Sequence, residues 1–253
     1  MNNSFSVIVP AYKEEEFIER ALTEIVLVFK NNNVDFEIIT VIDTVPNDNT
    51  LKIIKKLSAT FNEIKVIVRE GKQGVASAIK EGIKHASKSV IIIAMGENSQ
   101  NANDLLKMAL KMNDGYDMVF GNRFLTGIRL ERYPIKKHIA NLLCNYAIRS
   151  LFGIKSRDVT NGVKAYKSAI LKNMKIISSG FEIFAELPIN AYLQGYKNFV
   201  DVPLNYYGRD NDFSKFDLIK EGPRYFKLVM RYLLHREWGN KLRITFLYID
   251  IKR

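Results

Sequence analysis

Five short apolar runs, each rich in β-branched residues, recur through the first 120 residues: Phe5–Val9, Phe36–Ile42, Ile64–Val68, Val90–Ala94 and Met118–Phe120. Between them the apolar positions take helical spacing, near Glu14–Lys30, Asn49–Ala59, Gly74–Ala86 and Asn103–Met112. Strands alternating with helices predict βαβ units and an α/β fold with a central, mostly parallel sheet flanked by helices. The runs are continuous rather than alternating, as expected when helices cover both faces of the sheet. Asp48 or Asn49 suits the cap of the second helix, and Asn101 or Asn103 that of the fourth. Ligands of such sheets bind beyond the carboxyl ends of the strands. Chemistry is therefore sought at Pro10–Glu14, Asp43–Thr50, Arg69–Gly74, Met95–Gln100 and Gly121–Phe124.

The second half has a different texture. A basic segment, Arg129–Lys137, leads into a helical pattern at His138–Leu151 and a loop at Lys155–Gly162. A second helical pattern covers Glu182–Gln194, a strand follows at Phe199–Pro203, and Asp217–Arg236 is helical and amphipathic. The expected organisation is one catalytic domain over residues 1–216 and a basic amphipathic extension over 217–253. In that extension Arg224, Lys227, Arg231 and His235 fall on one side, and Tyr225, Phe226, Val229, Tyr232 and Leu233 on the other. Such a helix suits a membrane interface; its apolar side equally suits packing on the domain or on a partner subunit.

Charge narrows the partners. The net charge is +11, and residues 121–157 hold eight Lys/Arg against the single acid Glu131. Residues 215–253 hold ten Lys/Arg against four acids. An anionic partner is expected to meet these later parts of the chain. No nucleic-acid-binding motif accompanies the charge, so nucleic acid is not expected. No run approaches the 18 apolar residues of a membrane span, and the first strand begins at Phe5 with no leader pattern before it. One cysteine, Cys144, permits no intrachain disulfide and reads as a small core residue. The expected location is cytoplasmic, at the cytoplasmic face of a membrane. His85, His138 and His235 lack metal-ligand spacing.

Two loops suggest a nucleotide. Asp43 ends the second apolar run, where a carboxylate can accept hydrogen bonds from a base edge or ribose hydroxyls; it equally reads as the start of a turn, and Asp48 as a helix cap. The loop Arg69-Glu70-Gly71-Lys72-Gln73-Gly74 offers small residues and a lysine to a phosphate, yet it lacks the Gly-Lys-Ser/Thr of a Walker A motif and also reads as a plain β–α turn.

Taken in order, the motifs carry a resemblance. Val7-Ile8-Val9-Pro10-Ala11-Tyr12-Lys13-Glu14, Asp43–Thr50, Gly71–Gly82, Gly121-Asn122-Arg123-Phe124, Asp158–Tyr166, and Val202-Pro203 followed by Arg209 and Ser214-Lys215 run from about residue 5 to 216. In that order the chain resembles the inverting family-two glycosyltransferases with the Rossmann-like GT-A fold, especially the dolichyl-phosphate mannose synthase and polyprenyl-phosphate glycosyltransferase branch.

The resemblance implies transfer of a sugar, with inversion, from a GDP- or UDP-sugar to an acceptor, a polyprenyl phosphate in this branch. It implies donor contacts from Pro10, Tyr12, Glu14, Asp43, Lys72, Gly74, Glu97 and Ser214. Arg209 and Lys215, with Ser214, match the run that closes over the diphosphate; Arg123 matches an arginine facing the acceptor phosphate. Arg132, Lys137 and Asp158 match acceptor-side positions. A related transferase acting on a saccharide hydroxyl would need a carboxylate base, for which Glu182, Glu186 and Asp158 are candidates. A binding protein that retains the fold without catalysis is the remaining alternative.

Three departures bear on this. Thr44 replaces the second acid after the second strand, and Asp212 replaces a glycine in the closing run. The family's Asp-x-Asp, which holds a divalent ion on the diphosphate, is Gly96-Glu97-Asn98 here, followed by Ser99-Gln100. A hard cation wants anionic oxygen. Three outcomes stay open: Glu97 binds Mg2+ or Mn2+ with Asn98 and Gln100 assisting, cationic side chains replace the metal, or catalysis is lost.

Overall fold

The computed structural model describes residues 3–71, 73–96, 101–125, 130–131, 135–207 and 218–239. Five strands, β1 (Phe5–Ala11), β2 (Phe36–Thr44), β3 (Ile64–Glu70), β4 (Val90–Ile93) and β5 (Met118–Asn122), alternate with α1 (Ile18–Asn31), α2 (Thr50–Thr60), α3 (Val75–His85) and α4 (Ala102–Asn113). Then come β6 (Leu130–Glu131), α5 (Ile135–Phe152), β7 (Lys164–Lys167), α6 (Ser168–Lys172), α7 (Ile183–Leu193), β8 (Phe199–Pro203), β9 (Tyr206–Tyr207) and α8 (Leu218–Gly239). The α/β expectation holds. Seven strands form one sheet in the order β3-β2-β1-β4-β7-β5-β8, and β6 pairs with β9 apart from it. Every pairing in the large sheet is parallel except those of β7, which runs antiparallel to β4 and β5.

Two apolar cores sandwich the sheet. One face is covered by α1, α2 and α4, through residues such as Leu22, Phe29, Ile54 and Met108. The other is covered by α3, α5, α7 and α8, through Ile79, Ile148, Leu187 and Leu228. Burial on both faces explains why β1, β2 and β4 read as unbroken apolar runs.

Some local expectations shift. The first helix begins at Ile18 because residues 14–17 make a turn in which the Glu14 carbonyl accepts from the amides of Phe17 and Ile18. Lys13, just before it, sits in the left-handed region at φ 52. Asn101 caps α4, its side chain accepting from the Asn103 amide at 2.8 Å. Asn49 occupies the cap of α2 without a side-chain cap bond; its amide donates to Glu15 at 2.9 Å instead. β7 has no counterpart among the apolar runs, because its sequence, Lys-Ala-Tyr-Lys, buries a lysine at Lys164. Cys144 is half-buried, and burial pushes its thiol up to about 11.

The described part of the expected extension is α8, and it packs on the second core. Tyr225 is buried there and donates to the Phe181 carbonyl at 2.7 Å; Tyr232 donates to Glu186 at 3.0 Å. Phe226, which the sequence pattern groups with Tyr225, lies exposed on a different stripe.

At the amino-terminal end of the sheet, Glu37 is buried, accepts from Ser6 at 2.5 Å and from the Ser87 amide at 2.7 Å, and forms an ion pair with the Lys65 ammonium at 2.6 Å. Burial alone would raise its carboxyl pKa. The bonds from Lys65, Ser6 and Ser87 outweigh burial and hold it down at about 2, against an ordinary 4.5. A lowered carboxyl stabilises the fold above its unfolded pKa and loses that contribution as pH falls through the folded one. Glu37 should therefore contribute about 3 kcal/mol at pH 7, lost between pH 4.5 and about 2. Urea titrations across that window should show a shallower acid slope in Glu37→Gln than in the wild type; equal slopes would contradict this assignment.

Candidate active site

Consecutive strands bring the donor-side residues together at their carboxyl ends. The β2–β3 register sets Asp43 directly beside Arg69. Both are buried, and an Arg69 Nη2 hydrogen donates to Asp43 Oδ1. The amides of Gln73 and Gly74 donate to Asp43 Oδ2 at 2.8 and 2.9 Å. Gly74 adopts φ 89, a conformation that glycine reaches without strain, and this points its amide back at the carboxylate. Arg69 is held in turn by Ser77, to which Nη1 donates at 2.7 Å. A carboxylate has about four acceptor positions, and these donors fill three. Asp43 thus fixes the Arg69–Gly74 loop and keeps capacity for one further donor. Thr44, at the place of the missing second acid, donates to the Arg69 carbonyl at 3.1 Å.

The β1–α1 turn is tied to the same region. The Glu14 amide donates to Thr50 Oγ1 at 2.8 Å, and the Thr50 hydroxyl donates to Asp48 at 2.8 Å. Asp48 thus receives a side chain rather than the helix amides a cap would satisfy. The Lys13 ammonium lies over the Tyr12 ring, 5.9 Å from its centroid. Pro10 and Asp43, near the ends of β1 and β2, and Tyr12, Glu14 and Gly74, in the turns that follow β1 and β3, therefore meet at the carboxyl end of the sheet.

At the end of β4, Gly96 stands where the resemblance implies the first acid of a metal-binding pair. Gly96 supplies no oxygen, and a Cβ there would stand 3.1 Å from the Pro10 carbonyl and 3.2 Å from Ile18 Cδ1. Among the described residues no three His, Cys, Asp or Glu side chains cluster to hold an ion. Glu97, Asn98 and Gln100, and likewise Lys72, Arg132, Arg209, Ser214 and Lys215, lie outside the described residues; Lys137 is in the first turn of α5.

On the other side of the sheet centre, Arg123 and Asp158 form a buried two-point pair. Nε and Nη2 donate to Oδ2 and Oδ1, each at 2.8 Å, and the Arg123 amide adds a third bond at 2.9 Å. Asp158 is 0% exposed and Arg123 8%. Asn161 ties their two loops by donating to the Gly121 carbonyl at 2.7 Å. Beneath lies Lys164, wholly buried, whose ammonium donates to the carbonyls of Asn161 and Phe184. Burial pushes its pKa down to about 7; Asp158 pulls it up and Arg123 pushes it further down. Asn145 on α5 fixes the same loop through two bonds of 3.0 Å with Thr160.

Arg123 borders a cleft of about 610 Å³ between the β5 end and α5. Arg149 and Arg157 line it with Arg123, and Phe124, Leu142, Leu143 and Tyr146 give it an apolar wall. Asp158 and Glu186 accept through both carboxylate oxygens, whereas Glu182 Oε2 is buried and accepts from no described residue. Glu182 accepts from the amides of Ser179 and Gly180, and Glu186 from those of Ile177 and Ser178 and from Tyr232. Sequence reasoning singled out neither Arg69, Arg149, Arg157 nor Lys164. For Arg69 a signal existed, its place at the end of the run next to that of Asp43. Arg149 and Arg157 differ in sequence from no other surface arginine.

Comparison with known proteins agrees with this geometry. Residues 6–175 match the family model Glycosyl transferase family 2. Glycosyltransferase AglJ of Haloferax volcanii is 27% identical over 218 residues, covering 85% of this chain and 67% of that protein. The dolichol-phosphate mannosyltransferase of Pyrococcus furiosus is 27% identical over 214 residues, and the match covers 83% of this chain but 58% of that one. The chain thus spans about three fifths to two thirds of the length of these two relatives. Glucosyl-3-phosphoglycerate synthase from Mycobacterium tuberculosis, solved with UDP, superposes with a TM-score of 0.69 at 16% identity, covering 91% of this chain and 80% of that one. The same enzyme is solved with Mn2+, UDP and phosphoglyceric acid. At that identity the likeness shows the fold. The motif order, the strand-end site and the family match together establish that this chain belongs to glycosyl transferase family 2 and is a glycosyltransferase.

Proposed function

We propose that the chain moves a sugar, with inversion, from a GDP- or UDP-sugar to a polyprenyl phosphate at a membrane surface. One observation carries the choice of acceptor: the cleft beside Arg123 combines three guanidinium groups with an apolar wall, and no carboxylate stands among its described lining residues. A hydroxyl acceptor needs a base to take its proton. A phosphate is already ionised and needs none. It attacks the anomeric carbon, the bond to the nucleoside diphosphate breaks, and that diphosphate leaves with the developing negative charge. Stabilising that charge is the main electrostatic task. We assign it to Arg209 and Lys215 with Ser214, assign nucleotide contacts to Pro10, Tyr12, Glu14, Asp43, Lys72 and Gly74, and place Arg132 and Lys137 with Arg123 and Asp158 toward the acceptor. Glu97, Asn98 and Gln100 are the residues that would face a Mg2+ or Mn2+ ion. Residues 1–216 form the transferase in this reading, and 217–253 a basic extension.

The surface around the cleft supports a membrane. Ile135, Ile139, Leu143 and Tyr146 make an exposed stripe along α5, with Ile135 74% and Tyr146 69% exposed. On α8, which packs beside α5, Phe226, Met230 and Leu234 make a second stripe, with Phe226 69% exposed. Lys227 and Arg231 are exposed on the same helix. Apolar and basic groups together suit an anionic bilayer interface. No helix among the described residues is long and apolar enough to cross a membrane.

The test offers radiolabelled UDP- and GDP-sugars with polyprenyl phosphate or with soluble glycans, each with and without Mg2+ or Mn2+. Label in the lipid fraction is expected; label only in glycans would replace the proposed acceptor with a saccharide hydroxyl. In parallel, serine at Phe226, Met230 and Leu234 should reduce co-sedimentation with phosphatidylserine vesicles at least tenfold while leaving the melting temperature within a few degrees. Unchanged sedimentation would remove α8 from the membrane face.

A further inference from the structure

The cleft beside Arg123 contains more positive charge than the Arg123–Asp158 pair accounts for. Arg123 commits Nε, Nη2 and its amide to Asp158. The charges of that pair largely cancel, and its fork faces the carboxylate. Two further cations line the cleft, Arg149 from the last turn of α5 and Arg157 from the loop that follows it. Neither makes an ion pair with a described residue. The Nε of Arg149 is shielded from water and donates to nothing among them. An N–H shielded in this way is costly to leave without an acceptor, so Arg149 is built for an anion that the described residues do not provide.

The helix also gives this anion a neighbour. Leu142, Tyr146 and Arg149 are separated by four and three residues, so they line one face of α5. Leu142 and Tyr146 lie in the wall of the cleft. Toward the start of the helix the apolar surface continues through the exposed Ile139 and Ile135. A charged end and an apolar track follow one another along a single helix face.

We infer that Arg149 and Arg157 are the phosphate-binding half of the acceptor site, and that the acceptor's chain runs from them along Tyr146 and Leu142 toward the start of α5. The ligand class is a phosphate monoester bearing a long apolar chain. Arg123, held by Asp158, orients the phosphate rather than supplying its main countercharge. This inference rests on the lipid-phosphate reading and adds to it the residues and the direction of binding.

Farnesyl phosphate, being short and dispersible, serves as the probe. Its binding to the full chain is measured by calorimetry without any sugar donor, beside inorganic phosphate and 3-phosphoglycerate. Arg149→Gln and Arg157→Gln should each weaken farnesyl phosphate at least tenfold, as expected for loss of a charge-assisted hydrogen bond. They should raise the KM for the lipid acceptor with little change in kcat, and leave nucleotide binding unchanged. Leu142→Ser should weaken farnesyl phosphate but not inorganic phosphate. Arg157 is exposed, so its substitution tests the site even where Arg149→Gln disturbs folding. Wild-type affinity for farnesyl phosphate in Arg157→Gln would overturn the inference, as would equal affinity of the wild type for inorganic phosphate and farnesyl phosphate. Tight farnesyl phosphate binding that depends on both arginines, without sugar transfer to any polyprenyl phosphate, would uphold the site and reject the proposed reaction.

Discussion

Asp158→Ala should destabilise the fold by about 3–5 kcal/mol, the usual effect of stripping one partner from a buried ion pair, and should abolish sugar transfer. The carboxylate receives three bonds from Arg123, and both residues are buried. Its removal leaves a buried guanidinium without the carboxylate that receives its Nε and Nη2. Lys164 adds to the effect, because its ammonium is already depressed to about 7 and Asp158 is the strongest influence raising it. Without Asp158 two cations share one buried region, and each opposes the other. Pairing the change with Arg123→Met removes the buried charge that Asp158 balanced, so the double variant should regain at least 1 kcal/mol over Asp158→Ala alone while remaining inactive. Urea denaturation checks the stabilities, and transfer to polyprenyl phosphate checks the activity. A single variant within 1 kcal/mol of wild type would mean that the pair is structurally dispensable.

The same region marks the boundary of what the chain's sequence makes legible. β1, β2 and β4 are readable because two cores cover them, and double burial leaves an unbroken apolar run. β7 is unreadable for the opposite reason. Its buried Lys164 is satisfied by carbonyls from a loop and from α7, partners that no local pattern predicts. On α8, Tyr225 and Phe226 are adjacent in sequence but a helix turns about 100° between them, so one enters the core while the other faces solvent. Grouping them by composition merges two stripes with different roles. Motif order located Asp43, Arg123 and Asp158, but each acts through a partner set by tertiary register. Arg69 meets Asp43 only because β3 pairs with β2 at that residue. Arg149 and Arg157 carry no motif at all; only the fold gathers them around one cleft.

Asp43→Asn should cost the protein nearly all of its stabilisation by nucleotide, although the side chain keeps its shape. Oδ1 accepts from Arg69 and Oδ2 accepts from the amides of Gln73 and Gly74. Every one of these partners is a donor. An asparagine offers one acceptor and one donor, so whichever way it is turned, its NH2 faces either the guanidinium or the two amides. The cost of a buried donor set against a donor is about 1–3 kcal/mol, and the loop relieves it by moving away. That loop carries Gly74 and Lys72, so its displacement removes the phosphate contacts proposed for it along with the nucleotide contact proposed for Asp43. At a nucleotide concentration a hundred times the dissociation constant, binding stabilises the native state by about 2.7 kcal/mol. A hundredfold loss of affinity reduces that to about 0.4 kcal/mol. Thermal or urea unfolding of wild type and variant, each with and without UDP or GDP, reads the difference directly. Asp43→Glu keeps two acceptors but lengthens the arm, so it should retain part of the effect. The same nucleotide stabilisation in Asp43→Asn as in the wild type would separate the Asp43–Arg69 pair from donor binding and leave it a purely structural brace between β2 and β3.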